Sequence, residues 1–181
     1  MAGHWPPGTV FSLDGVVPQI HETAFIAPGA AVIGDVTIGP ETGVWFHVLI
    51  RGDMNMIRIG ARTNIQDNVV VHVDSGGAAT VIGDDVTIGH NAVVHGCTLQ
   101  NRAFVGISAT VLDGAVIEEG GMLGAGGLLT PGKVIGPNEL WTGSPAKLRR
   151  VMDEGERKRF DRNAIVYRAL ARQFLDGLKA V

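Results

Sequence analysis

Residues 99–123 read LQNRAF-VGISAT-VLDGAV-IEEGGM-L, and a Leu, Ile or Val begins each block of six. This period matches neither the 3.6-residue turn of an α-helix nor the two-residue repeat of a flat strand. It predicts a solenoid in which each hexad is a short strand and a turn, and in which each coil buries the aliphatics of its neighbours. The same ladder covers most of the chain, at Ile20, Ile26, Val32, Ile38, Val44, Ile50, Ile59, Ile65, Val71, Ile82, Ile88, Val94, Leu99, Val105, Val111, Ile117, Leu123 and Leu129, and Ile135 keeps the phase.

Three hexads per turn would form a triangular prism, so eighteen hexads predict about six turns. Glycine often follows the aliphatic, and we expect it to relieve backbone strain in the turns. The ladder resembles that of the hexapeptide-repeat proteins, whose fold is a left-handed parallel β-helix. The left-handedness is implied by this resemblance alone, since crossovers between parallel strands are usually right-handed.

Two irregular spacings and a change of period divide the chain. Extra residues near 53–55 and near 74–77 are expected to form loops, where functional groups often lie. We expect an extended lead-in over residues 1–18, an all-β solenoid domain with the functional site over 19–145, and a C-terminal helical segment over 146–181. An amphipathic α-helix from about 154 to 178, packed along the prism, is predicted by apolar residues at three- and four-residue spacing. They are Phe160, Ala164, Tyr167, Ala171, Phe174 and Leu178.

Composition argues against several classes of function. A net charge of −3 and the lack of a basic stripe argue against nucleic-acid binding. No apolar stretch reaches the roughly 20 residues that span a bilayer. The single cysteine, Cys97, cannot form an internal disulfide, so a reducing cytoplasm is expected. We interpret Cys97 as a small buried thiol rather than a metal ligand.

Hexad counting places three histidines and separates them from the rest. His72 and His95 each follow their aliphatic directly and lie three hexads apart, so they should stack on one face about 4.8 Å apart. Arg51, three hexads before His72, joins this column. The other histidines, His4, His21 and His47, are interpreted as ordinary surface residues.

His90 belongs to the adjacent face. It should lie one coil above Asp67, with Gln66 beside it. Within one chain His90 would point away from the first pair, but a closed homotrimer with one repeated interface could bring it alongside the pair of a neighbouring chain. The same packing would place Arg51 of one chain near Asp67 of the next, in a geometry suited to a fork-shaped ion pair.

Three imidazoles with one open position are typical of a catalytic zinc site, in which the pKa of a water falls to about 7. The sequence therefore predicts a Zn²⁺ site, and Fe²⁺ or Co²⁺ are alternatives because imidazole suits those ions as well.

Five motifs carry a resemblance to the γ-class carbonic anhydrase family, in its short bacterial branch, over nearly the whole chain. They are Arg51-Gly52-Asp53, Asn64-Ile65-Gln66-Asp67, Val71-His72-Val73, the run IGHNAVVHGC at 88–97, and Gly143-Ser144-Pro145-Ala146-Lys147. The resemblance implies reversible hydration of CO₂ to bicarbonate by a homotrimer with a metal at each subunit interface.

The resemblance also implies roles for individual residues. His72 and His95 of one chain and His90 of its neighbour would hold the metal, and Gln66 would orient the attacking group or CO₂. Arg51, Asp53 and Asp67 would hold the interface, and Tyr167 matches a tyrosine near the metal, although it would serve equally as a packing residue of the helix.

The chain departs from the family at two glutamates that help to move protons. Met54 stands where one of them would fall, and the loop Val73-Asp74-Ser75-Gly76-Gly77 contains no glutamate. Asp74 is a candidate substitute, although a single loop aspartate is usually only solvated. The departures concern turnover rather than metal binding.

Two other functions remain open from the sequence. Hexapeptide-repeat proteins often transfer or hydrolyse acyl groups of CoA thioesters with a single histidine base. A non-catalytic metal-binding trimer is the other alternative, favoured by the missing glutamates.

Overall fold

Most strands are only two or three residues long, because each one ends where the chain turns a corner of the prism. In the computed structural model, which describes residues 9–179, twenty strands precede one helix. In chain order they are β1 (Val10–Phe11), β2 (Gln19–Ile20), β3 (Phe25–Ile26), β4 (Ala31–Ile38), β5 (Gly43–Val44), β6 (Leu49–Ile59), β7 (Asn64–Ile65), β8 (Val70–His72), β9 (Thr80–Ile82), β10 (Thr87–Ile88), β11 (Val93–His95), β12 (Thr98–Leu99), β13 (Phe104–Val105), β14 (Thr110–Val111), β15 (Val116–Ile117), β16 (Met122–Leu123), β17 (Leu128–Leu129), β18 (Val134–Ile135), β19 (Glu139–Thr142), β20 (Lys147–Val151) and α1 (Glu154–Gly177).

Strands of successive coils pair in parallel and form three faces. The first face stacks β8, β11, β14 and β17 on the first half of β6, and the second face stacks β9, β12, β15 and β18 on its second half. The third face runs through β3, β5, β7, β10, β13, β16 and β19. The predicted solenoid is confirmed. It has about seven turns rather than six, because β1, β18 and β19 extend the stack beyond the eighteen hexads.

The core consists of the ladder aliphatics, stacked at an interval of three hexads. Val94 pairs with Val71 in the coil before it and with Val111 in the coil after it. All three side chains are fully buried, as are Ile50 and Leu129 on the same face. Because each aliphatic is covered on both sides by the same position of neighbouring coils, the register of the whole stack follows from burial of this column.

The glycines after the aliphatics have a different role from the one expected. Gly89 and Gly106 do not have positive φ angles, but a Cβ at Gly106 would lie 2.4 Å from the backbone nitrogen of Ala125 in the next coil. Close approach of coils therefore requires these glycines. Left-handed backbone occurs two residues later in each hexad, at Asn91 (φ 59°) and Ser108 (φ 56°).

The extra residues near 53–55 do not form the expected loop. They continue strand β6, which bulges where Gly52 lies opposite Gly34 and Ile57 lies opposite Val36. Backbone pairing on both sides of the bulge holds this stretch in the sheet. The second irregularity does leave the sheet, as the turn that separates His72 from Thr80.

The C-terminal helix is confirmed, and it lies against the third face. Asp153 caps its first turn, since the Glu156 backbone N–H donates to Asp153 Oδ1 at 2.8 Å and the Glu156 carboxylate accepts from the Asp153 backbone N–H. Trp45 of the solenoid makes edge-to-face contacts with Tyr167 at 5.3 Å and with Phe174 at 5.2 Å between ring centroids. These contacts fix which face of the prism the helix covers.

The segments that flank the solenoid contain two further strands. Residues 1–8 of the expected lead-in, and His4 with them, lie outside the described residues, and Val10–Phe11 pairs with β4. Lys147–Val151 forms an antiparallel strand with β19, where only helix was expected. Over residues 9–179, no helix has the length and apolar character needed to cross a membrane.

We expect Leu123→Ala to lower the free energy of unfolding by about 2–5 kcal/mol, because the fully buried side chain would leave a cavity between coils. Leu148→Ala is the matched control, since Leu148 is 51% exposed and should cost less than about 1 kcal/mol. Urea unfolding followed by circular dichroism measures both. Equal losses would contradict a core formed by the aliphatic columns.

Candidate metal centre

The first face brings Arg51, His72 and His95 into one column. Arg51 pairs with His72 across β6 and β8, and His72 pairs with His95 across β8 and β11. The two imidazole centroids are 5.1 Å apart and their planes are tilted by 56°. The predicted column is therefore confirmed, and its two imidazoles contact each other directly.

Each imidazole is held by a carboxylate on one of its nitrogens. His72 Nε2 lies 3.0 Å from Asp53 Oδ1, and His95 Nδ1 lies 2.9 Å from Asp113 Oδ1. A carboxylate accepts a hydrogen bond, so each of these nitrogens is the donor of its ring. The two remaining nitrogens, His72 Nδ1 and His95 Nε2, face each other at 3.1 Å, and in the neutral tautomers that donate to the carboxylates both would offer a lone pair to a metal ion.

This pair of nitrogens fits a metal ion. Two imidazole nitrogens bound to one tetrahedral ion at about 2.0–2.1 Å lie about 3.3–3.4 Å apart, close to the observed separation. A proton shared in an N–H···N hydrogen bond, or a metal ion bound to both nitrogens, accounts for this close approach. Both side chains are mostly buried, so little water competes for this position.

Asp53 hydrogen-bonds to His72 of the His72–His95 pair, and Arg51 in turn pairs with Asp53. Burial alone would raise the pKa of Asp53, but hydrogen bonds from His72 and Arg51 outweigh it, and the pKa lies below its usual value. The Arg51 guanidinium forms an ion pair with the second oxygen of Asp53. Asp53 therefore stays ionised and keeps the His72 ring in a fixed orientation.

Asp113 is a site residue that the sequence reasoning missed. It lies three hexads after Gly96, and a Cβ at Gly96 would lie 2.2 Å from Asp113 Oδ1. The space left by the missing side chain lets the carboxylate reach His95. The hexad count, extended one coil further, places Asp113 above Gly96 and Leu112 above His95, so it gives no sign that Asp113 reaches the imidazole.

His90 lies away from the pair, as expected within one chain. It follows β10 on the third face, where its Nδ1 lies 2.9 Å from Asp67 Oδ2. Its Nε2 lies 3.3 Å from the Tyr167 hydroxyl of the helix. The predicted stacking of His90 on Asp67 is therefore confirmed.

Gln66 accompanies His90 and not the His72–His95 pair. Its buried side chain accepts from the His90 backbone N–H at 3.2 Å and donates to Asn64 Oδ1 at 3.2 Å. These two bonds use the amide oxygen and one amide hydrogen of Gln66, which leaves its second amide hydrogen available.

Burial, with a smaller contribution from Asp67, raises the pKa of Tyr167, which stays a neutral hydrogen-bonding group.

Cys97 lies next to the histidine column but has the properties of a packing residue. Its thiol is buried and unpaired, and burial raises its pKa to about 12. A buried thiol with this pKa stays protonated at neutral pH, which fits a small packing residue. His21 and His47 are exposed and belong to neither cluster.

Comparison with known proteins identifies relatives along most of the chain. A probable carbonic anhydrase of Methanocaldococcus jannaschii is 49% identical over 82% of this chain and 93% of its own length. Gamma carbonic anhydrase 3, mitochondrial, of Arabidopsis thaliana is 48% identical over 90% of this chain. The chain spans 55–65% of the length of three curated plant relatives.

Solved structures agree with the fold. The crystal structure of a hexapeptide transferase family protein from Anaplasma phagocytophilum is 48% identical and has a TM-score of 0.88, covering 92% of this chain and 98% of the other. No protein-family profile matches the chain.

We expect Asp113→Ala to weaken Zn²⁺ binding about 10–100-fold, because His95 would lose the carboxylate that fixes its ring and raises its basicity. Competition with a chromophoric chelator measures the change. Glu119→Ala is the control, since Glu119 is an exposed acid that pairs with Arg102. Unchanged affinity in Asp113→Ala would contradict the role of this carboxylate in supporting His95 as a metal ligand.

Proposed function

The chain belongs to the γ carbonic anhydrase family, and from this premise we propose that it catalyses the reversible hydration of CO₂ to bicarbonate. The observation that carries the proposal is the His72–His95 pair, whose outer nitrogens are held by carboxylates and whose inner nitrogens lie 3.1 Å apart. No acyl-transfer chemistry needs two imidazoles with facing lone pairs, whereas a metal centre does.

The third metal ligand in this proposal is His90 of a neighbouring chain. A single chain supplies two imidazoles to the site, and its own His90 lies on a different face. A closed homotrimer repeats one heterologous interface three times and would complete three equivalent sites. Gln66 would arrive with His90, because its side chain holds the His90 backbone.

Arg51 and Asp67 would pair between chains. Within one chain Arg51 pairs with Asp53, and Asp67 contacts His90. Both side chains remain about a third exposed, at 39% and 33%. A guanidinium has five N–H donors, so Arg51 can hold Asp53 and also reach a carboxylate of the next chain.

The protein's own groups prepare the site for a small neutral substrate. When bound, the metal supplies Lewis acidity that lowers the pKa of water to about 7. Asp53 and Asp113 accept hydrogen bonds from the two imidazoles and hold them in orientation, so the other nitrogens stay directed at one point. The remaining amide hydrogen of Gln66 can donate to an oxygen of CO₂ or of the attacking group. Tyr167 positions His90 through its hydroxyl.

The identity of the metal and the compartment are part of the proposal. A set of three imidazoles suits Zn²⁺, and Fe²⁺ and Co²⁺ bind the same donors. We place the protein in the cytoplasm because its single cysteine is unpaired. Three plant relatives are named as mitochondrial proteins.

Acyl transfer is the second candidate, since a 48% identical structure is described as a hexapeptide transferase. An acyltransferase would depend on one histidine as base, and the metal site depends on three. A non-catalytic trimer would retain the metal and the ligands without turnover. The number of histidines required and the presence of turnover therefore distinguish the three functions.

We expect His72→Ala and His90→Ala to be inactive when each is purified alone, and activity to return when the two are refolded together. Mixed interfaces would join the His72 and His95 of one chain to the His90 of the other. Random assembly makes about one quarter of the interfaces complete, so activity should recover to about one quarter of the native level. Stopped-flow CO₂ hydration with a pH indicator measures it.

Two outcomes of the mixing experiment would contradict the proposal. Full activity in either single variant would remove that histidine from the site, and no recovery in the mixture would mean that the site is not shared between chains. The native protein loaded with Zn²⁺ is the reference, and a metal-bound protein with no CO₂ hydration above buffer would refute the enzymatic function.

A further inference from the structure

Asp74 has a carboxylate that lies beside the His72–His95 pair and that the proposed function does not use. It lies two residues after His72, where β8 ends and the turn towards β9 begins, and its side chain is 62% exposed. Its Oδ1 lies 3.9 Å from His95 Nε2, the same nitrogen that faces His72. The carboxylate therefore approaches the two imidazoles on the side of their free lone pairs.

The separation of Asp74 from His95 is too long for a hydrogen bond and suits a shared ion. Hydrogen bonds of this type are about 2.7–3.2 Å long. Two ligands of one ion, each about 2.0–2.2 Å from it, lie about 3.3–4.3 Å apart, depending on the angle between them. One donor atom each of His72, Asp74 and His95 all lie within 4.8 Å of one another.

We propose that Asp74 completes a metal site of two histidines and one carboxylate within a single chain. The inference rests on the proposed function only in taking His72 and His95 as metal ligands. Two histidines and one carboxylate bind Zn²⁺ in some enzymes and Fe²⁺ in others. Such a site allows each chain to hold its metal before a neighbouring chain contributes His90.

Charge supports the same assignment. A divalent ion held by two imidazoles would place two positive charges in a mostly buried position. Asp113 supplies one negative charge through an outer nitrogen, whereas the charge of Asp53 is already paired with Arg51. Asp74 adds a negative charge on the open side, in direct reach of the ion. The turn places the carboxylate there without strain on the sheet, because residues 73–79 lie outside the paired strands.

The test removes the interchain ligand first and then the carboxylate. Zn²⁺ affinity is measured by chelator competition in the full-length His90→Ala protein, which we expect to bind one ion per chain. Adding Asp74→Asn should weaken this binding by about tenfold or more. Loss of a residue that only supports a ligand already weakens metal binding about tenfold, and loss of a direct ligand should cost at least as much. Adding Asp176→Asn, a substitution of an exposed carboxylate on the helix, should leave it unchanged.

Unchanged affinity on adding Asp74→Asn, or no Zn²⁺ binding by a folded His90→Ala protein, would overturn the inference. Circular dichroism shows whether each variant is folded, and His90→Leu replaces His90→Ala if the latter does not fold. The two proposals fail separately. A native protein that hydrates CO₂ but shows no effect of Asp74 refutes only the intrachain site, and one that binds Zn²⁺ through Asp74 without hydrating CO₂ refutes only the function.

Discussion

The stacking of each coil on the coil three hexads before it is the constraint on which every functional placement depends. Parallel hydrogen bonds and the buried aliphatic columns fix this register to the single residue. A shift by one residue would turn the aliphatics outward and move His95 away from His72. The core and the His72–His95 pair are therefore specified by the same interaction.

The chemistry of the pair comes from the carboxylates around it. Asp53 is supplied by the bulged strand β6 below His72, and Asp113 by the coil above His95. Each accepts a hydrogen bond from the outer nitrogen of its ring, which leaves both inner nitrogens available to the proposed metal. Gly96 makes this possible, since a side chain there would occupy the position of the Asp113 carboxylate. The site is thus assembled from four successive coils.

The helix contacts both the third face of the solenoid and the side chain of His90. Tyr167 packs on Trp45 through its ring and reaches His90 through its hydroxyl, so the position of the helix and the orientation of His90 are connected. Buried Arg157 anchors the helix start by donating to the Gly120 carbonyl oxygen at 2.8 Å. The helix therefore fixes the orientation of His90 on the face that each chain would present to its neighbour in the proposed trimer.

The sequence by itself determined the solenoid, the three-hexad register, the His72–His95 column and the stacking of His90 on Asp67. These features follow from a one-dimensional period together with three hexads per turn, because a shift by anything other than whole hexads would expose the aliphatics. Only the tertiary structure decided that residues 53–55 stay in strand β6, that Asp53 and Asp113 bind the outer imidazole nitrogens, and that Gln66 bonds the His90 backbone. Those contacts depend on how side chains bend across coils and on where the backbone bulges, and a repeat pattern contains neither.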